Sequence, residues 1–108
     1  MAEGRVSLDG RRLHWLEFGA TNGHPVVWNH GSPGGAHEAA LTGYGARRLG
    51  LRIICPSRPG MGGSDPLPGR RIIDWAGDIE AILEELAIDR FALVGLSGGA
   101  PHALSLIH

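Results

Sequence analysis

The sequence predicts an α/β fold, with an N-terminal β-hairpin leading into a mostly parallel sheet that carries helices on both faces. Three observations carry this. Short runs of apolar and β-branched residues at 25–29, 51–55 and 91–94 have the length and composition of strands buried on both sides. Segments of helical composition separate and follow them, and strands alternating with helices select a parallel sheet. The dipeptide Asp9-Gly10 divides two alternating runs, a short-range hairpin signal.

The hairpin strands are predicted at 6–9 and 11–18, and a loop rich in Gly, Asn and Thr follows over 19–24. Pro25-Val26-Val27-Trp28-Asn29 reads as a buried strand that breaks into His30-Gly31-Ser32-Pro33-Gly34-Gly35, which cannot be regular structure. A helix is expected over 38–49, because Arg47 and Arg48 fall in its last turn and Gly50 just beyond it. Gly43 and Gly45 weaken that helix by about 1 kcal/mol each relative to Ala. Leu51-Arg52-Ile53-Ile54-Cys55 is the next strand, stopped by Pro56, and a second long loop covers 57–69. Asp74 reads as the N-cap of a helix in which Trp75, Ile79, Ile82, Leu83 and Leu86 form one apolar stripe. Asp78, Glu80, Glu84 and Glu85 are assigned to its other faces. After the strand Phe91-Ala92-Leu93-Val94, the run Gly95-Leu96-Ser97-Gly98-Gly99 turns into an apolar stretch reaching His108.

The chain has 108 residues and 11.4 kDa, room for one small domain. Hydrophobic residues at 43% and charged ones at 19% exclude a disordered class, and no run of eighteen apolar residues offers a membrane span. The ten basic residues are all Arg, the net charge is −1, and no basic run provides a footprint for nucleic acid or an anionic bilayer. Cys55 is the single cysteine, so neither an intramolecular disulfide nor a Cys-rich zinc site can form. No signal-peptide pattern opens the chain, and a soluble cytoplasmic protein is expected.

Gly95-Leu96-Ser97-Gly98-Gly99 matches G-x-S-x-G, a weak pattern in a Gly-rich chain, but it falls where a strand ends and a helix opens. A sharp strand-to-helix turn holds such a Ser in strained geometry, and side chains at 95 and 99 would collide there. The helix start behind Ser97 offers a free N–H and positive dipole to a developing oxyanion, and Pro101 sits in the first turn, where its missing N–H does no harm. The alternative is an ordinary tight turn. The segment 30–35 reads as a plain Gly/Pro loop or as the second half of an oxyanion hole; a P-loop is disfavoured because the chain has no Lys. His37-Glu38 begins like H-E-x-x-H, yet Leu41 stands where the second His is needed, so no metal is expected. Asp74 and Asp78 read as a solvated face or cap, and Trp15, Trp28 and Trp75 as core or pocket lining.

With these motifs in place, the chain resembles the N-terminal half of an α/β-hydrolase-fold serine hydrolase. Three segments match in order: H-G-x-P-G at 30–34, Arg58-Pro59-Gly60-Met61-Gly62-Gly63-Ser64 after the fourth strand, and the elbow at 95–99. The resemblance covers nearly the whole of residues 1–108, read as a partial domain ending in the helix after the elbow. It implies Ser97 as nucleophile and the backbone N–H groups of Ser32 and Gly98 as oxyanion hole. Gly95, Gly99, His30, Gly31, Pro33 and Arg58 are implied as elbow and loop support, with His30 a structural hydrogen-bonder and Ser32-Pro33 often cis in relatives. Ser57 stands where relatives usually have Asp, a departure expected to loosen an ion pair holding the loop.

The family's acid and His follow the nucleophile along the chain. Here His14, His24, His30 and His37 precede Ser97, while His102 is expected to point down a helix flank and His108 is the final residue. Without a base a Ser hydroxyl stays protonated, so the 108 residues alone are expected to be inactive or very weak. The implied function is hydrolysis of a small ester or amide through a Ser97 acyl-enzyme, without cofactor. Ser at the elbow argues against the dehalogenase and epoxide-hydrolase branches and favours relatives resembling proline iminopeptidases, non-haem haloperoxidases and esterases. The alternative is a non-catalytic fragment or ligand-binding relative.

The elbow strand, central in the family sheet, is expected to be an exposed edge that recruits a complementing chain or self-associates; a monomeric, cooperatively unfolding 11.4 kDa species contradicts this. Intact mass from the native source separates the cases: above 11.4 kDa the chain is a fragment, and at 11.4 kDa the search turns to a complementing chain or a role without catalysis.

Overall fold

Asp9 and Gly10 both take positive φ, 51° and 79°, the requirement of a type I′ turn, whose twist matches that of flanking strands. They join β1 (Ala2–Leu8) to β2 (Arg11–Gly19), antiparallel from Ala2 against Glu17 to Leu8 against Arg11. The computed structural model describes residues 2–31 and 34–107. The remaining strands are β3 (His24–Asn29), β4 (Leu51–Pro56) and β5 (Ala92–Gly95), in the sheet order β1-β2-β4-β3-β5. Only β2 opposes the others, since β4, β3 and β5 pair in parallel. The mostly parallel sheet is therefore as the sequence predicts. Among the described residues, β5 pairs with β3 alone and its far side is an open edge.

Period-2 alternation sorts the core. Leu16, Phe18, Val26 and Ile53 face one side and meet Ala36, Ala39 and Ala46, whereas Leu13, Trp15, Val27 and Ile54 face the other and meet Trp75, Ile79, Ile82 and Leu83. The helix expected over 38–49 is instead a 3₁₀ run, Ala36–Thr42, continued by α1 (Gly43–Leu49). The reason lies in the spacing of what is buried. Ala36 and Ala39 are three apart, which a helix of three residues per turn stacks on one line against the sheet. The stop is where the sequence puts it, with Arg47 and Arg48 in the last turn and Gly50 in the left-handed region.

Helix α2 (Trp75–Glu85) buries Trp75, Ile79, Ile82 and Leu83 of its predicted stripe, while Leu86 follows the helix end and is half-buried, and two acids need separate description. Asp74 holds the N-cap position of α2 as expected, but its side chain makes no capping bond to that helix; its carboxylate instead accepts the Arg71 backbone N–H at 2.8 Å across the 3₁₀ turn Ile72–Asp74. Asp78 is not on an outer face. It is 2% exposed and receives both terminal nitrogens of Arg11, at 2.5 and 3.2 Å, which holds the Arg11 pKa above its usual value. A buried carboxylate needs such a partner, and this one ties the hairpin to α2. Helix α3 (Gly99–Ser105) packs on the same face as α2. No described helix is long and apolar enough to cross a membrane.

Removing one member of a buried ion pair strands the other. Asp78→Ala is therefore expected to cost about 3–5 kcal/mol by urea denaturation, with much of the loss restored by Arg11→Met in the same chain; no recovery in the double variant would contradict the pairing.

Candidate active site

Between the end of β5 at Gly95 and the start of α3 at Gly99, Ser97 takes φ +52°, a left-handed conformation costing a non-glycine residue about 1–2 kcal/mol. The turn is stitched by Leu96 N–H to Asn29 O (3.1 Å), Gly99 N–H to Leu96 O (2.8 Å) and Ala100 N–H to Ser97 O (3.0 Å). Its glycines are sterically required. A Cβ on Gly99 would land on the Asn29 carbonyl oxygen and lie 2.6 Å from that of His30, and one on Gly95 would lie 2.8 Å from Ala100 Cα. Ser97 is exposed at the tip, and among the described residues no backbone carbonyl accepts the Gly98 N–H beside it.

The loop after β3 lies against this elbow. Asn29, fully buried, donates from Nδ2 to Val94 O at 3.0 Å and accepts the Trp75 indole N–H at 2.8 Å, tying β3, β5 and α2 together. Buried His30 sets Nδ1 against Gly31 O at 2.8 Å and accepts the Arg58 backbone N–H on Nε2 at 3.0 Å. A carbonyl only accepts and an amide N–H only donates, so the ring is neutral with its proton on Nδ1. Burial pushes its pKa below the ordinary value. Arg58, also fully buried, donates from Nη1 to His30 O and from Nη2 to Gly31 O at 3.2 Å, and burial lowers its pKa too. A Cβ on Gly31 would lie 3.6 Å from Ser97 Cβ. His30, Gly31, Arg58, Gly95, Ser97, Gly98 and Gly99 are thus one cluster. Ser32 and Pro33, with the expectation of a cis bond between them, lie outside the described residues.

Ser57 does not leave the neighbouring loop loose. Its Oγ accepts the Ala36 N–H at 3.0 Å and meets His14 Nδ1 at 3.2 Å, while His14 Nε2 reaches Glu3 Oε2 at 3.0 Å. Ser64 Oγ donates to Ser57 O at 2.6 Å and accepts the His14 N–H at 2.9 Å. Glu3, His14 and Ser57 follow the order of a catalytic relay, but Ser57 is 1% exposed and no substrate reaches it. This network is not legible in the sequence because its central pair, His14 and Ser57, is 43 residues apart.

No described histidine is hydrogen-bonded to Ser97. His102 turns inward, with Nδ1 to Gly98 O at 3.0 Å and Nε2 to Arg70 Nη1 at 3.2 Å, its ring edge-on to Trp75. Burial lowers its pKa. His24 opens β3, roughly 17 Å of strand from Asn29, and His37 lies beside Gly35. Buried Cys55 is no competing nucleophile, since desolvation pushes its thiol up to about 12. Glu38, read in sequence as a metal-motif remnant, accepts N–H groups from Trp28 and Gly31. Among the described residues no three His, Cys, Asp or Glu side chains group as metal ligands. What the cluster presents is an exposed hydroxyl beside an N–H donor, an arrangement suited to attack on a carbonyl.

A family model described as alpha/beta hydrolase fold matches residues 24–107. A proline iminopeptidase from Arabidopsis thaliana is 35% identical over 100 residues, 90% of this chain and 26% of its own length. A non-heme chloroperoxidase from Streptomyces lividans is 32% identical over 95 residues, 87% of this chain and 34% of its own. An esterase from Exiguobacterium antarcticum superposes with TM-score 0.80 at 28% identity, covering 93% of this chain and 37% of the esterase. The chain spans about a quarter to a third of the length of the curated relatives it matches.

Because Ser97 is left-handed, Ser97→Gly is expected to be more stable than Ser97→Ala by about 1 kcal/mol in urea; equal stabilities would contradict the strained elbow. His30 and His102 titrate below the ordinary 6.5 when folded, so the unfolded chain binds more protons in that window. The urea midpoint is therefore expected to fall as pH drops through 6.5, and a flat profile from pH 7.5 to 5.5 would contradict it.

Proposed function

The chain belongs to the α/β-hydrolase fold family, and from that premise we propose that Ser97 is the nucleophile of a serine hydrolase acting on a small carboxylic ester or amide. The observation that carries the reading is the left-handed Ser97 elbow set against Gly31. Ser97 Oγ attacks the carbonyl carbon as a base takes its proton, and the carbonyl π electrons move onto oxygen. The Gly98 N–H and that of Ser32 receive the oxyanion. Collapse expels the alcohol, or the amine, with the proton returned to it, leaving an acyl-Ser97 ester that water hydrolyses by the same path. In this reading neither the acid nor the histidine is among these 108 residues, and the chain alone is inactive or very weak. No cofactor enters these steps.

The proline iminopeptidase and esterase relatives support acyl transfer as the reaction class. A second reading, a relative that retains the elbow without turnover, is favoured by the engagement of both ring nitrogens in His14, His30 and His102.

In protein that supplies the acid and base as well as these 108 residues, a fluorophosphonate probe is expected to add once, at Ser97, and Ser97→Ala is expected to lose the adduct together with at least about 10³-fold of any esterase turnover. Labelling that persists in Ser97→Ala would overturn the assignment, and a wild-type protein that takes no label would favour the second reading.

A further inference from the structure

Glu38 sits seven residues beyond Gly31 on the 3₁₀ run, yet its carboxylate reaches back across the loop. Oε1 accepts the Gly31 N–H at 2.9 Å, and Oε2 accepts the Trp28 indole N–H at 2.9 Å. Each oxygen thus takes one donor, one from the end of β3 and one from the loop that leaves it. The segment is closed elsewhere as well, by Glu38 N–H to Gly35 O at 3.0 Å and Ala36 N–H to Ser57 Oγ at 3.0 Å. The carboxylate also fills the inside of the loop: a Cβ on Gly31 or Gly34 would stand 3.3 or 3.4 Å from Oε1.

We propose that Glu38 is a positioning residue for the oxyanion loop, clamping Gly31 beside Ser97, an inference that rests on the serine-hydrolase reading above. The Gly31 carbonyl is held by His30 and Arg58 and its N–H by Glu38, so both polar groups of this residue are engaged. Gly31 immediately precedes in sequence the donor assigned to the oxyanion in that reading, so the hold on Gly31 bears directly on that donor. Only a carboxylate serves both partners. It is acceptor-only at each oxygen, whereas a carboxamide presents N–H₂ to one of two converging donors. Its charge also offsets the buried Arg58 cation that holds the other side of the same residue.

The oxyanion exists only during reaction, so a misplaced donor lowers kcat and leaves KM nearly unchanged. With the acid and base that the serine-hydrolase reading requires supplied, Glu38→Gln is expected to reduce kcat on a p-nitrophenyl ester by about 10- to 100-fold, with KM within about threefold. It is also expected to expose the Gly31 amide to faster hydrogen exchange by NMR. Trp28→Phe is expected to lose about two- to threefold. Trp28→Phe with Glu38→Gln is expected to recover most of the Glu38→Gln loss, because the carboxamide oxygen is then free to serve Gly31 alone. Rescue of this kind is not expected from a side chain that merely supports the fold. Glu38→Gln with wild-type kcat and unchanged Gly31 exchange would overturn the proposal, as would a double variant no better than Glu38→Gln. If Ser97→Ala keeps wild-type turnover, it is the serine-hydrolase reading that fails, and Gly31 exchange alone then decides the clamp.

Discussion

The main-chain crossing at the ends of β3 and β5 is the constraint on which the rest of the structure depends. The start of α3 passes so close to the carbonyls of Asn29 and His30 that residue 99 has no room for a Cβ. With that crossing in place, the turn must be sharp, Ser97 must take a left-handed conformation, and its side chain must stand at the tip beside Gly31. The crossing is secured from beneath by Asn29, whose single carboxamide joins Val94 and Trp75. Strain at the elbow is therefore offset by packing several residues away from the hydroxyl it displays.

Close backbone approach buries polar groups, and their satisfaction explains the residue types around the elbow. The carbonyls of His30 and Gly31 point inward, where an apolar neighbour would leave them unpaired. Arg58 and the His30 ring supply the donors, and both tolerate burial because they hydrogen-bond to backbone groups. On the opposite side Glu38 collects the N–H groups of Gly31 and Trp28. The Ser57 hydroxyl holds this loop, receiving Ala36 and meeting His14.

Most of the fold and the elbow were legible because they rest on local chemistry. Asp9-Gly10 can only be a hairpin turn between alternating strands, the α2 stripe has a 3.6-residue period, and glycines flanking Ser97 by two positions announce a tight crossing. What could not be read depends on partners distant in sequence. Asp78 carries a polar side chain at a helical position that looks solvated until Arg11, 67 residues away, is folded against it. Residues 36–42 are helical in composition, yet the three-residue spacing of Ala36 and Ala39 becomes decisive only when the sheet face they cover exists. Glu38 resembled the start of a metal motif because its acceptor role needs the loop to curl back over it.

The most direct test of the account is a crystal structure of the phosphonylated protein. Phosphorus is expected to be bonded to Ser97 Oγ and the phosphoryl oxygen to lie within about 2.7–3.1 Å of the Gly98 nitrogen, with the N–H that follows Gly31 pointing at the same atom. A phosphoryl oxygen turned away from both donors, or an adduct on another side chain, would contradict it.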